Sequence, residues 1–181
     1  TVQDFYSHIE SMRHLLKDKN GCFKHLLGYG LALEQGSSKG YHVHLMLLYN
    51  GSERCQDWYL ANEVIQKWQE ITQNMGYGIN SHTPEKKKQY ADRGLLGVGM
   101  IHRNQPLEIQ NALNVARYLT QPEKFMQRML VKPLGKRTFF KGIYHEHGRK
   151  YKNNHPISAE AGIWSEQDVD DLLDEPAVFQ L

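Results

Sequence analysis

The stretch HLLGYGLALEQGSSKGYHVHLMLLYN, residues 25–50, decides the fold, because two β-prone runs flank a short polar connection. Branched and aromatic residues favour strands, whereas Gly and Ser favour the turn between them. The stretch therefore predicts an antiparallel hairpin, with one strand before QGSSKG and one after it.

Helical periods flank the hairpin on both sides. Before it, apolar residues recur at helical spacing: Phe5, Ile9, Met12 and Leu16. They predict a helix over residues 4–19 that stops at Asn20-Gly21. After the hairpin, a second set keeps the helical period for about five turns: Trp58, Ala61, Ile65, Trp68, Thr72 and Met75. This set predicts a long helix that Gly76 closes.

The pattern is weaker after the second helix. Residues 77–94 show neither a helix period nor a strand period, so we expect a mobile surface loop. Residues 95–102 have the apolar character of a buried strand. Asn104 and Pro106 are placed to cap and begin a third helix that extends through Gln121.

A further short strand is expected at residues 137–140. The order of elements then predicts an α+β domain, in which helices cover one face of a central, mostly antiparallel sheet and the opposite face is free to work. We place this domain at residues 1–141. Residues 142–181 form a C-terminal extension, basic and then acidic, that can pack on the domain.

The net charge of +2 is unevenly distributed along the 181 residues. Nine Lys and Arg lie within residues 124–152, with Phe139 and Phe140 among them, and an acidic stretch follows at residues 165–175. Basic and aromatic residues together are typical of a surface that binds a nucleic-acid backbone and stacks on its bases. A solvated face beside an acidic tail gives the same pattern.

The sequence lacks the roughly 18 consecutive apolar residues of a membrane span, and it opens without a basic-then-apolar leader. Cys22 and Cys55 have no metal-binding spacing, so we expect both to be free thiols. These features predict a soluble protein in the cytoplasm of a bacterial cell or infected host.

His42 and His44 stand two residues apart in the second predicted strand, so their imidazoles project from the same face. Glu34 lies on the same face as both histidines if the numbers of two directly paired residues in the hairpin add to an even number. A β-bulge would shift this register. Two imidazoles and a carboxylate suit Mg²⁺ or Mn²⁺ in phosphoryl transfer, and also Zn²⁺ or Co²⁺. The alternative is a pair of histidines held by hydrogen bonds on an ordinary sheet.

Tyr118 is the candidate nucleophile on the third predicted helix. Polar residues recur along one side of that helix: Asn111, Asn114, Tyr118 and Gln121. The buried stripe is expected to consist of apolar residues: Ile109, Ala112, Leu113, Val115, Ala116 and Leu119. A phenol at the border of the two can attack a metal-activated phosphodiester and form a phosphotyrosine. The alternative is a boundary tyrosine without chemistry.

GYHVHLMLLYNG followed by NVARYLTQ resembles the motif pair of the HUH (histidine–hydrophobe–histidine) single-strand DNA endonucleases, over residues 26–121. Glu34, seven residues and then His42-Val43-His44 is similar to the metal-binding segment of viral rolling-circle replication initiators. Within that superfamily the chain looks closest to filamentous-phage initiators and prophage-encoded YagK/YfjJ-type proteins.

The resemblance implies a fold related to the RNA-recognition motif, with His42, His44 and Glu34 as ligands of Mg²⁺ or Mn²⁺. It implies that Tyr118 nicks single-stranded or hairpin DNA by taking the 5′ phosphate, and frees a 3′ hydroxyl that primes replication of a phage, plasmid or mobile element. Host replication proteins or a fused domain are the further partners it suggests. Gln121 departs from the family pattern, which often has lysine there.

Residues expected to bind DNA are basic or carry an amide: Lys86, Lys87, Lys88, Asn114, Gln121, Lys124, Lys136 and Arg137. Lys124 and the lysines of residues 86–88 are also the candidate substitutes for the missing lysine. His102 is an alternative third ligand, and the second HxH, at residues 145–147, is better explained as an exposed turn.

Two other functions fit the same residues. One is a nucleic-acid-binding module without catalysis. The other is a metal-dependent oxygenase or hydrolase that uses two histidines and one carboxylate, a set that also suits Fe²⁺. Against the latter, such oxygenases usually combine HxD or HxE with a distant histidine.

Overall fold

The structure is a computed structural model, and it describes residues 1–36, 40–120, 129, 131–144 and 178–180. The helices are α1 (Val2–Asp18), α2 (Asp57–Ile71), α3 (Pro84–Asp92) and α4 (Pro106–Tyr118). The strands are β1 (Leu26–Gly36), β2 (Gly40–Tyr49), β3 (Tyr77–Gly78), β4 (Phe139–Ile143) and β5 (Val178–Gln180). This combination of helices and an antiparallel sheet confirms the α+β fold class.

The sheet is built around the predicted hairpin of β1 and β2, which pair antiparallel from Gly36 and Gly40 outward. β4 pairs with the other edge of β1, and β5 pairs with β2, so the strand order is β3-β5-β2-β1-β4. β4 confirms the short strand expected near residues 137–140. The predicted domain boundary after residue 141 falls inside β4 and has to move beyond it, and β5 brings residues 178–180 into the same sheet.

Helix α1 confirms the predicted helix, although it begins two residues before and ends one residue before the predicted bounds. The Thr1 hydroxyl accepts a hydrogen bond from the Asp4 backbone N–H at 3.3 Å, which caps the first turn. Lys19 takes the left-handed conformation at φ 53° and ends the helix. All four predicted apolar residues are buried: Phe5, Ile9, Met12 and Leu16.

The core lies between one face of the hairpin and helices α1 and α2. Leu31 and Val43 from the hairpin, Phe5 from α1 and Trp68 from α2 belong to one buried cluster. The Phe5 ring stacks on Tyr41 with 5.5 Å between ring centroids. Burial of each such side chain contributes about 1.5–3 kcal/mol, so this face stabilises the fold.

The opposite face of the hairpin, which we call the histidine face, carries the alternate side chains of both strands. Its members are Gly30, Ala32 and Glu34 of β1 and His42, His44 and Met46 of β2. Leu119, directly after α4, packs over Gly30, where its Cδ1 would lie 3.1 Å from an added Cβ. The end of α4 therefore covers part of this face, in addition to α1 and α2 on the other.

Helix α2 is shorter than the sequence period predicts. It ends at Ile71 because the Thr72 hydroxyl donates to the Trp68 carbonyl at 2.9 Å and accepts from the Gly76 N–H at 3.0 Å. Met75, which the period places in the helix, lies beyond its end and is 68% exposed.

The loop predicted at residues 77–94 is wrong, because this stretch contains β3 and α3. The Thr83 hydroxyl accepts a hydrogen bond from the Lys86 N–H at 3.4 Å, and Pro84 occupies the first turn. A capping threonine followed by proline is a helix start signal. The short length of α3 and its sparse apolar residues hid that signal from the periodicity.

The strand predicted at residues 95–102 is also wrong, since this segment is irregular. Its backbone lacks a strand partner in the described chain and bonds instead to a side chain of α4. Asn111 Nδ2 donates to the Gly94 carbonyl at 2.9 Å and to the Leu96 carbonyl at 3.3 Å. These bonds hold the segment against α4.

Helix α4 buries the side predicted to be polar. Gln110, Asn111, Asn114 and Tyr118 are buried, whereas the predicted apolar stripe is only half-buried. Asn111 faces inward because residues 94–96 need its amide. The helix begins after Gln105, not Asn104, with no side-chain cap, and it ends at Tyr118, three residues before the predicted end.

We expect Gly97→Ala to destabilise the fold by about 1–3 kcal/mol. A Cβ at residue 97 would lie 2.5 Å from the Asn111 carbonyl oxygen, so α4 and the segment would have to separate. Urea unfolding measures the loss. Gly51→Ala is the matched control, because a Cβ there meets only the flexible end of Met100; equal midpoints for the two variants would contradict the contact.

Both cysteines are free, as predicted, with Cys22 buried and Cys55 exposed. Burial, together with the nearby Glu63 charge, raises the pKa of Cys22 to about 11. At pH 8 only about one Cys22 in a thousand is then a thiolate. We expect iodoacetamide to label Cys55 at least about a hundredfold faster than Cys22 in the native protein, as measured by peptide mass spectrometry, and equal rates would contradict the packing of Cys22.

None of the helices in the described part of the chain has the length and apolar character needed to cross a membrane.

Candidate metal centre and nucleophile

The hairpin register brings Glu34, His42 and His44 together. Glu34 pairs directly with His42 across the strands, and His44 pairs with Ala32, one step further along the same face. This is the predicted even-sum register. The irregularity in the β1–β2 pairing lies between Leu26 and Gly28, at the far end of the hairpin, so it does not disturb the site.

Both histidines point a ring nitrogen at one carboxylate oxygen. Glu34 Oε2 lies 3.1 Å from His44 Nε2 and 3.4 Å from His42 Nε2. His42 Nδ1 lies 3.1 Å from the Gly40 carbonyl, which can only accept, so Nδ1 carries the proton. Nε2 is therefore the ring nitrogen of His42 that faces Glu34 and could bind a metal ion.

These separations match the spacing of ligands on one ion. Two donor atoms that bind the same ion at about 2.1 Å stand about 3.0–3.4 Å apart at octahedral or tetrahedral angles. The candidate ligand atoms of Glu34, His42 and His44 all lie within 4.8 Å of one another. The three residues could therefore hold a metal ion with little movement.

Burial adds a second reason for a cation at this position. All three residues are buried: His42 is 2% exposed, His44 3% and Glu34 6%. An ionised carboxylate at this depth is destabilised by several kcal/mol unless a positive charge or hydrogen bonds compensate it. In the metal-free protein, a proton on His44 Nε2 provides one such hydrogen bond to Glu34.

Tyr118 lies directly against this group. Its ring meets the His44 ring edge to face, with 5.5 Å between centroids and 89° between planes. Tyr118 is the last residue of α4 and is 7% exposed. The structure therefore brings together the two motifs that the sequence holds about seventy residues apart.

Asn114 precedes Tyr118 by one helical turn on the same buried side of α4. Its Oδ1 accepts a hydrogen bond from Gln110 Nε2 at 3.0 Å. Its Nδ2 is buried and has no hydrogen-bond partner among the described residues. A buried donor without a partner is unfavourable, so this amide is a polar atom near Tyr118 in sequence that the described residues leave unsatisfied.

The chain that enters β4 adds basic side chains near Glu34. The Leu33 N–H donates to the Thr138 carbonyl at 2.7 Å, which extends the β1–β4 pairing beyond Phe139. Lys136 and Arg137 lie just before this point and are both exposed. The end of β1 that carries Glu34 thus has two exposed cations beside it.

The lysines of α3 are held in different ways. Lys87 pairs with Asp57, and the exposed Lys88 pairs with Asp92 one turn along the helix. Both charges are therefore matched by acids, which weakens the prediction that they bind DNA. Lys86 is half-buried at the start of the helix.

His102 is not a third ligand in this arrangement. It is exposed, and its Nδ1 and backbone N–H both contact Glu108 Oε2, at 2.9 Å and 2.7 Å. Gln121, Lys124, the HxH of residues 145–147 and the acidic stretch lie outside the described residues.

Sequence reasoning missed the pair of Asp57 and His82. His82 Nδ1 donates to Asp57 Oδ2 at 2.7 Å. Burial lowers the pKa of His82 against the opposing pull of Asp57, so the ring is neutral at pH 7. Burial would raise the pKa of Asp57, but hydrogen bonds from Lys87 and His82 outweigh it and the pKa falls. The two residues are 25 positions apart and form no motif, so no sequence signal joins them.

No protein-family model matches the chain, and searches of curated proteins and of solved structures also find no match.

Proposed function

We propose that the protein is a metal-dependent endonuclease that nicks and rejoins single-stranded DNA and initiates rolling-circle replication, through a covalent link to Tyr118. The observation that carries the proposal is the geometry of the two motifs. Two histidine Nε2 atoms converge on the Glu34 carboxylate, and the Tyr118 ring packs against one of those histidines. The HUH-like sequence pattern adds the substrate class.

The reaction is a transfer of the phosphodiester from DNA to the phenol. Glu34, His42 and His44 would hold a Mg²⁺ or Mn²⁺ ion, which would supply polarisation of the scissile phosphate. The Tyr118 oxygen forms a bond to phosphorus while the bond from phosphorus to the 3′ oxygen breaks. The phenol loses its proton, the leaving 3′ oxygen gains one, and the 5′ phosphate stays on Tyr118. Reversal of these steps by a 3′ hydroxyl rejoins the strand.

DNA would lie along the histidine face and the β4 edge. Phe139 pairs with Ala32 and Lys141 with Gly30, so both side chains stand on the histidine face. Lys141 is exposed, and Phe139 is half-buried. With Lys136 and Arg137 they combine cations for the backbone with a ring for stacking on a base.

The adduct assay tests the proposal. The protein is incubated with a pool of single-stranded oligonucleotides labelled at the 3′ end and run on a denaturing gel. We expect a labelled band at the mass of protein plus DNA with Mn²⁺ or Mg²⁺, and its loss with EDTA. Labelling the 5′ end should leave the protein band dark, because the 5′ fragment departs with its 3′ hydroxyl. Binding without an adduct in either metal would contradict the proposal and favour the non-catalytic module.

A second candidate function follows from the donor set. Two histidines and one carboxylate on one face are also the ligands of non-haem Fe²⁺ oxygenases. Anaerobic loading with Fe²⁺ and exposure to O₂ distinguishes the two. A nicking enzyme forms its adduct with DNA in the absence of O₂. An oxygenase requires O₂ for its reaction.

A further inference from the structure

A cavity of about 330 Å³ opens between α2, β2, α4 and the segment at residues 97–101. Its walls are mainly apolar, and Met46, Leu48, Val98, Met100 and Val115 contribute to them. His44 and Tyr118 also line it, so the cavity adjoins the candidate metal centre. Its volume lies in the range of small-molecule sites, about 300–1,000 Å³.

One of the polar groups that line the cavity besides the metal centre is His82, which is hydrogen-bonded to Asp57; Arg54, Ser81 and Tyr49 also line it. The side-chain oxygen Oδ1 of Asn80 accepts a hydrogen bond from the His82 backbone N–H at 2.8 Å, and Asn80 Nδ2 donates one to Asn62 Oδ1 at 2.9 Å. These bonds and the one to Asp57 fix the imidazole. His82 Nε2 has no hydrogen-bond partner among the described residues, and the His82 side chain is 26% exposed.

The charges at this polar group cancel. Asp57 is negative, Lys87 pairs with it and is positive, and His82 is neutral with its proton on Nδ1. His82 Nε2 is therefore a hydrogen-bond acceptor in a group with no net charge. Because it has no net charge, this group does not attract a phosphate electrostatically. It suits a neutral ligand with a flat apolar body and an N–H donor on its edge.

We propose that this cavity receives one unstacked base of the DNA substrate, next to the phosphate that Tyr118 attacks. This inference rests on the proposed function. A nucleobase has the required body and edge: its faces pack on the apolar walls, and an amino or imino N–H donates to His82 Nε2. The Asp57–His82 pair then contributes to sequence preference at that position. His82 is a specificity-determining residue in this scheme.

Ligand-observed NMR with adenosine, guanosine, cytidine and thymidine tests the cavity directly. We expect at least one nucleoside to bind the full chain, in the presence of EDTA, and its affinity to fall at least tenfold in Ala112→Phe, which fills the cavity. Leu107→Phe is the matched control on the same helix, because Leu107 is 63% exposed and outside the lining. If Ala112→Phe does not fold, Val98→Phe fills the cavity from the irregular segment.

His82→Phe keeps a flat ring and removes the acceptor, so we expect it to change the order of preference among the four nucleosides. Nucleoside binding requires no metal, so it should not depend on added Mn²⁺. If a nucleoside binds and the cavity-filling variants block it, but no DNA adduct forms, the inference stands and the nicking function is contradicted. An adduct without nucleoside binding, or binding unchanged by cavity filling, would overturn the inference alone.

Discussion

Tyr118→Phe is expected to form no covalent adduct with single-stranded DNA, a loss of at least about a thousandfold against wild type. The substitution removes only the oxygen that would bond to phosphorus. The phenyl ring keeps its edge-to-face contact with His44 and its buried place at the end of α4. The loss should therefore appear in the chemical step and not in folding.

Two controls separate chemistry from structure in this experiment. Tyr118→Phe should bind Mn²⁺ and single-stranded DNA as wild type does. Tyr29→Phe should form the adduct normally, because Tyr29 is buried on the face of the hairpin opposite the histidine face. An adduct in Tyr118→Phe equal to that of wild type would rule out Tyr118 as the nucleophile.

His42→Ala and His44→Ala are each expected to weaken Mn²⁺ binding by at least about a hundredfold, because each removes one of the three ligands. Glu34→Gln removes the negative charge with little change of shape and should weaken it in the same direction. Isothermal titration calorimetry with Mn²⁺ measures the affinity. Adduct formation should fall with metal binding in all three variants.

Thermal unfolding gives an independent readout of the same site. Mn²⁺ at a hundredfold excess over its dissociation constant stabilises the folded state by about 2.7 kcal/mol, which raises Tm by roughly 5–10 °C in a protein of this size. EDTA should reverse the rise, and the three ligand variants should lack it. His102→Ala is the matched control, because that histidine is exposed and bound to Glu108. An equal rise in wild type and in His42→Ala would place the ion elsewhere.

The hairpin and the grouping of its three candidate ligands were predictable because strands carry a short and rigid code. The period of two fixes that His42 and His44 share a face, and the pairing that starts at Gly36 and Gly40 gives the register that adds Glu34. Tyr118 was predictable only from the motif. Nothing local in NVARYLTQ indicates that its ring packs against His44.

The parts that were not predictable depend on contacts distant in sequence. Hydrophobic periodicity gave the wrong buried side of α4, because Asn111 supplies the hydrogen bonds that residues 94–96 lack. The irregular segment at residues 95–102 was predicted to be a strand because it is apolar. Its apolar residues border a cavity and not a sheet. The Asp57–His82 pair joins α2 to the turn before α3, and no periodic or spacing rule connects them.

The position of the covalent bond tests the central claim most directly. After reaction with single-stranded DNA, nuclease trimming and trypsin digestion, mass spectrometry identifies the residue that retains a nucleotide. The account predicts a nucleotide-bearing peptide within residues 104–124, in which Tyr118 is the only tyrosine. A nucleotide on any other tyrosine, or on no residue while the DNA is cleaved, would contradict it.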